Sequence, residues 1–100
     1  MDGIKVAGVT FCNNDGQSRQ EILKQIGFGW ATAYLKQTVY NGERAVEVWI
    51  EEKQIGYIPK TALNNKLSYY DSLSALILYF EEKDIYYVEL YECETFKHTG

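Results

Sequence analysis

Ala33-Tyr34-Leu35-Lys36-Gln37-Thr38-Val39-Tyr40-Asn41-Gly42-Glu43-Arg44-Ala45-Val46-Glu47-Val48-Trp49-Ile50 reads as one β-hairpin, and the rest of the chain is organised around it. Asn41-Gly42 has the chemistry of a two-residue type I′ turn, because both residues tolerate positive φ. With these two at the tip, Tyr40 faces Glu43. The ladder then sets Ala33 opposite Ile50, Leu35 opposite Val48 and Gln37 opposite Val46, a mostly apolar face that belongs in a core. The other face pairs Tyr34 with Trp49 and Lys36 with Glu47. An aromatic pair beside an opposite-charge pair is a favourable cross-strand set. A slip of one residue would undo turn, core and charge pairing together.

Working outward, Lys53-Gln54 makes a second short turn and residues 55–58 continue as a strand. Pro59 suits the first turn of a helix and opens a short one running to about Lys66. Residues 76–80 and 85–91 read as a last hairpin around residues 81–84. The Leu and Ala content of residues 73–80 also suits a helix, and both readings stay open. On the N-terminal side, residues 4–11 form a first strand, with Val6, Val9 and Phe11 as its β-forming side chains. Asn13-Asn14-Asp15-Gly16 is a turn cluster. Ser18 and Glu21 make a capping box for a helix striped by Ile22, Leu23 and Ile26 and stopped at Gly27 and Gly29. The expected fold is one domain over residues 1–100, mainly β with two short helices, a small OB-like or SH3-like β-barrel.

Composition agrees with a folded chain. The 100 residues are 46% hydrophobic and 15% aromatic, with nine tyrosines and one proline, which is not a disordered composition. No apolar run approaches the ~20 residues of a membrane helix. Met1-Asp2-Gly3-Ile4-Lys5 lacks the basic and apolar regions of a signal peptide. A cytoplasmic location is therefore expected, with Cys12 and Cys93 as reduced thiols. No cofactor or metal is expected, since two cysteines with no nearby histidine make no metal site. His98, the only histidine, sits in the tail. The net charge of −4 is uneven. Residues 1–70 carry eight basic against seven acidic side chains, and residues 71–100 carry two against seven. The acidity is local to the C-terminal third, and a neutral or basic face is available elsewhere.

Two stretches carry a family resemblance. Val6-Ala7-Gly8-Val9-Thr10-Phe11, with Asp15-Gly16 and then Ser18-Arg19-Gln20-Glu21-Ile22-Leu23, resembles the opening strand and first helix of bacterial stand-alone HIRAN proteins. Ala45-Val46-Glu47-Val48 followed by Gln54-Ile55-Gly56-Tyr57-Ile58-Pro59-Lys60 is similar to the family's small residue, strand glycine and following helix. Together they cover roughly residues 4–65. The resemblance implies an OB-like barrel. In the helicase-like transcription factor branch, it implies a pocket for the 3′ end of single-stranded DNA. Two adjacent first-strand residues that grip this end match Thr10 and Phe11, with Thr10 standing where that branch has arginine. A polar residue after the glycine and a lysine soon after match Tyr57 and Lys60. The family's hairpin run Asn-Pro-x-Asp-x-Asn-Ala is here Val39-Tyr40-Asn41-Gly42-Glu43-Arg44-Ala45, which keeps only the alanine and has Gly42 at the aspartate.

The resemblance thus points to a non-catalytic nucleic-acid-binding module for single-stranded DNA or DNA ends, with weak affinity. Thr10, Phe11, Arg19, Tyr57 and Lys60 are its candidate contacts. Phe11 shares parity with Val9 and is expected in the core, whereas Tyr57 is expected to be partly exposed and is the better stacking residue. Lys60 and Arg19 each lie in a first helical turn, where a cation opposes the dipole. Lys60 suits phosphate contact, and Arg19 suits a tie to the residue 13–16 turn through Asp15. Tyr34 and Trp49 form either a stacking platform or a second core under a covering segment. Asp71, Glu81, Glu82, Asp84, Glu89, Glu92 and Glu94 read as a solvated acidic face. The alternative function is a protein-interaction domain that has lost the DNA-end pocket and meets its partner through this acidic C-terminal hairpin. An enzyme is not expected: the chain has no glycine-rich phosphate loop, and neither cysteine has the Cys-His setting of a nucleophile. No membrane contact is expected.

Overall fold

The central hairpin forms in the register its turn and alternation dictate. We describe residues 3–93 from a computed structural model; Glu94 and His98 lie outside them. Strand β2 (Gly29–Tyr40) pairs with β3 (Glu43–Ile50), matching Tyr34 with Trp49, Leu35 with Val48, Lys36 with Glu47 and Tyr40 with Glu43. Asn41 and Gly42 have φ of 53° and 79°, as a type I′ turn requires. Val46, Val48 and Ile50 are buried, and Ala33 joins them.

The remaining strands extend this ribbon on both sides. β1 is Ile4–Lys5, β4 is Lys53–Tyr57, β5 is Ser72–Phe80 and β6 is Ile85–Tyr91. They form one antiparallel sheet in the order β1-β6-β5-β2-β3-β4. The sheet curls until its edges meet. The Val6 N–H donates to the Val88 carbonyl of β6 (2.9 Å), and Ala7 exchanges two backbone hydrogen bonds with Tyr57 of β4 (2.8 and 2.9 Å). Two adjacent residues just after β1 thus join β6 to the far edge strand β4 and hold the sheet as a half-barrel. A glycine makes this approach possible: a Cβ on Gly56 would collide with the Ala7 carbonyl oxygen and lie 2.6 Å from Val6 Cγ1.

Helix α1 (Arg19–Ile26) packs against β4 and β6. The Ser18 side chain accepts from the Glu21 N–H at 3.2 Å, and Gly27, at φ 90°, ends the helix. Ile22 and Leu23 seal the core with Ile55, Leu73, Ile77, Val88 and Leu90. No helix among the described residues is long and apolar enough to cross a membrane.

The sequence reading needs correction at three places, and at a fourth the structure decides a choice left open. The first strand does not run to Phe11. After Ala7 the chain turns, the Phe11 N–H bonding the Gly8 carbonyl at 3.1 Å. The second turn is Glu51-Glu52, both at positive φ, and β4 begins at Lys53. The second helix is two single turns of 3-10 helix, Lys60–Ala62 and Lys66–Tyr69. Asn65 ends the first possibility of a continuous helix: its side chain accepts from the Leu67 N–H at 2.9 Å and starts a new turn. Residues 72–80 are strand, because alternate burial of Leu73, Ala75 and Ile77 fits a sheet with one dry face.

Candidate nucleic-acid interface

The turn after Ala7 shapes the site. It swings Phe11 out of its expected core position to 67% exposure. The turn is held by Arg19, which is 5% exposed and lies in the first turn of α1. Arg19 Nε donates to Asn13 Oδ1 (2.7 Å) and Nη1 to the Gly8 carbonyl (2.9 Å). The expected tie between Arg19 and the residue 13–16 turn therefore exists, through Asn13 and not Asp15. Asp15 instead accepts from the Gln17 N–H at 2.9 Å. Asn13 in turn donates to the Gln54 carbonyl at 3.0 Å, which fastens the turn to β4. Gln20 secures the other side, donating to the carbonyls of Val9 (3.0 Å) and Tyr86 (2.8 Å) and accepting from the Tyr86 N–H (2.8 Å).

Phe11 thereby meets the end of β4 and the tip of the β2–β3 hairpin across a cleft of about 510 Å³. Phe11, Tyr40, Tyr57, Ile58, Pro59 and Leu63 give it apolar walls, and Glu43, Arg44 and Lys60 line it with charge. Tyr57 is half-buried, and the Arg19 guanidinium lies 5.5 Å from its ring centroid. Arg19 forms no ion pair among the described residues, so its charge stands uncompensated behind the aromatic wall. Lys60 is solvated and sits 3.7 Å from the Glu43 carboxylate. This exposed pair is weak. With a three-residue 3-10 turn in place of an α-helix, the dipole argument for Lys60 has no helix to act through.

Of the five residues singled out from sequence, Phe11, Tyr57 and Lys60 come together in the cleft. Arg19 lies behind it. Thr10 is exposed on the turn beside Phe11 but does not line the cleft. Tyr40 and Arg44 were missed. Arg44 clamps the hairpin to the following turns: Nε donates to Gln37 Oε1 (3.0 Å), Nη1 to the Leu63 carbonyl (3.1 Å), and Nη2 to the Ser68 carbonyl (3.0 Å) and hydroxyl (3.1 Å). Its guanidinium also stacks 3.8 Å from the Tyr69 ring centroid. The signal was present in the strand: Arg44 has the same parity as buried Val46 and Val48, and a cation there needs an acceptor set waiting.

The Tyr34–Trp49 pair is not covered by a second core. Tyr34 is 57% exposed, and Lys36 Nζ lies 5.7 Å from the Trp49 ring. None of the acidic residues of the β5–β6 hairpin lines the cleft, whose only carboxylate among the described residues is Glu43. Cys12 and Cys93 are free, exposed thiols. Compared with family models, curated proteins and solved structures, the chain matches none.

Proposed function

We propose that this chain is a non-catalytic module that holds single-stranded DNA, or a DNA end, in the cleft between Phe11 and Tyr57. The observation that carries the reading is the convergence of Phe11, Tyr57 and Lys60. Phe11 stands far in sequence from Tyr57 and Lys60, which are near neighbours at the end of β4, yet all three line one cleft with Tyr40. Two aromatic faces stack on bases of any sequence, at about 1–3 kcal/mol per base. Lys60 meets a phosphate, and the buried charge of Arg19 biases the wall toward an anion. The HIRAN likeness supports the same reading, and with it an OB-like barrel as the frame. A reducing cytoplasm fits the two exposed thiols.

The test is a titration with short labelled oligonucleotides, single-stranded and duplex, at two salt concentrations. Weak binding of single strands, with little dependence on base sequence and a shallow salt slope, is expected. No binding at low salt, where attraction is strongest, sinks the reading.

A second reading is favoured by the engagement of the cleft's cations. Arg44 spends its donors within the fold, and Lys60 has Glu43 beside it. A cleft so walled also suits an apolar side chain of a protein segment. In that case Glu43→Gln leaves binding unchanged, whereas an anionic strand binds Glu43→Gln more tightly than wild type.

A further inference from the structure

The outward face of the β6-β5-β2 sheet is apolar and open. Trp30, at 65% exposure, stands opposite Leu76, and Leu78 stands opposite Tyr87 in the neighbouring row. Trp30, Leu76 and Leu78 alternate with the buried Ala75 and Ile77 and stand on the face away from them, whereas the half-buried Tyr87 also packs against the core. Trp30 meets Tyr91 edge to face at 5.8 Å. Phe28 (75%), Tyr34 (57%) and Phe80 (42%) extend the patch at its margins. Four aromatic side chains at these exposures present on the order of 500 Å².

We propose that this face is where two copies of the chain meet, packed sheet on sheet about a two-fold axis. Three features select a second copy as the occupant. The first is area. Two such faces bury on the order of 1,000 Å² before any rim residue is counted, which reaches the size of a specific interface. The second is shape. On β2 the exposed Thr32 forms a notch between the Trp30 ridge and Tyr34, while Tyr91 and Tyr34 close the row at Ser74 and Ser72. A two-fold axis lays the ridge of each copy in the other's notch, as an isologous contact requires. The third is charge. The chain is acidic overall, yet this face carries Lys5 and Glu89 as cross-strand partners and is neutral. Two copies meet there without repulsion, each offering a carboxylate to the other's ammonium. A basic partner is drawn instead to the Glu81–Asp84 loop.

The experiment is sedimentation velocity on the full chain over a roughly hundredfold range of concentration. The wild-type mass should rise from one toward two chains of 11.6 kDa. Trp30→Lys and Thr32→Glu, one on the ridge and one in the notch, should each remain monomeric. Both positions are exposed, so their melting curves should match the wild type. Val39→Lys, at the exposed hairpin tip, should associate as wild type does. A monomeric wild type at every concentration overturns the proposal. Association that survives both Trp30→Lys and Thr32→Glu overturns it as well.

Discussion

Arg19 organises the site without touching its contents. Its guanidinium is buried, bonds an asparagine side chain and a backbone carbonyl, and lies against the Tyr57 ring. Truncation strands buried acceptors and releases the turn that presents Phe11. Arg19→Ala should therefore cost about 2–4 kcal/mol, since hydrogen bonds from charged donors contribute about 1.5–3 kcal/mol each. Urea unfolding measures this, and an unchanged midpoint contradicts the assigned role. Tyr57→Ala should behave oppositely. Its ring is half-exposed, so stability should fall little while oligonucleotide affinity drops by about 1–3 kcal/mol. A third residue gives a spectroscopic signature. The Tyr79 hydroxyl donates to Asp84 at 2.7 Å, and this hydrogen bond, with burial and the nearby carboxylate, pushes its pKa up to about 12. A tyrosine whose folded pKa exceeds its unfolded value of 10.0 contributes stability below pH 10 and loses it as pH rises toward 12. Ultraviolet titration should show Tyr79 ionising late, alongside Tyr70, whose pKa is also raised by its hydrogen bond to Glu92, and Asp84→Asn should bring Tyr79 alone back toward the ordinary range.

At the scale of the element, the hairpin was legible because three independent signals agreed: Asn41-Gly42, the apolar alternation and the Lys36–Glu47 pairing. Gly42→Val puts a β-branched residue at φ 79° and should lower the melting temperature. An unchanged value contradicts the turn. Helix α1 was legible from its cap and stripe. What was not legible depended on distant partners. Phe11 shares parity with Val9 only if the strand continues, and the strand ends because Arg19, eight residues on, holds Gly8. The segment after Pro59 has a helical start, but Asn65 and the Arg44 clamp divide it into separate turns. Residues 73–80 have helical composition, and the pairing with β2 and β6 decides for strand. The candidate site divides the same way. Family resemblance located Phe11, Tyr57 and Lys60, while the local pattern of the hairpin gave no partner for Arg44. Gly56→Ala tests the closest approach in the fold. The added methyl overlaps the Ala7 carbonyl, and the loss should reach about 1–3 kcal/mol, the range for overpacking.

For the molecule as a whole, charge is partitioned by strand. Glu89 of β6 and the acidic residues of the β5–β6 loop lie off the cleft, which Arg44, Lys60 and Glu43 line and Arg19 backs behind the Tyr57 ring. Net charge of the chain is therefore a poor guide to how it meets an anion. Because so few cations face solvent, affinity should depend only shallowly on salt. Lys60→Ala should reduce the slope of log affinity against log salt by about one unit.

The stitch made by Val6 and Ala7 also sets an order of events for a nascent chain. These two residues are made before either partner, Val88 for Val6 and Tyr57 for Ala7. Contacts of such sequence separation are slow to form, because the loop entropy is lost before the contact rewards it. Until residue 88 has emerged, Val6 has no partner on β6, whereas Ala7 can pair once Tyr57 is made. The half-barrel is held by a segment made before either of its partners, and in the folded protein the Ala7 and Tyr57 amides should exchange with deuterated water only as fast as that stitch reopens.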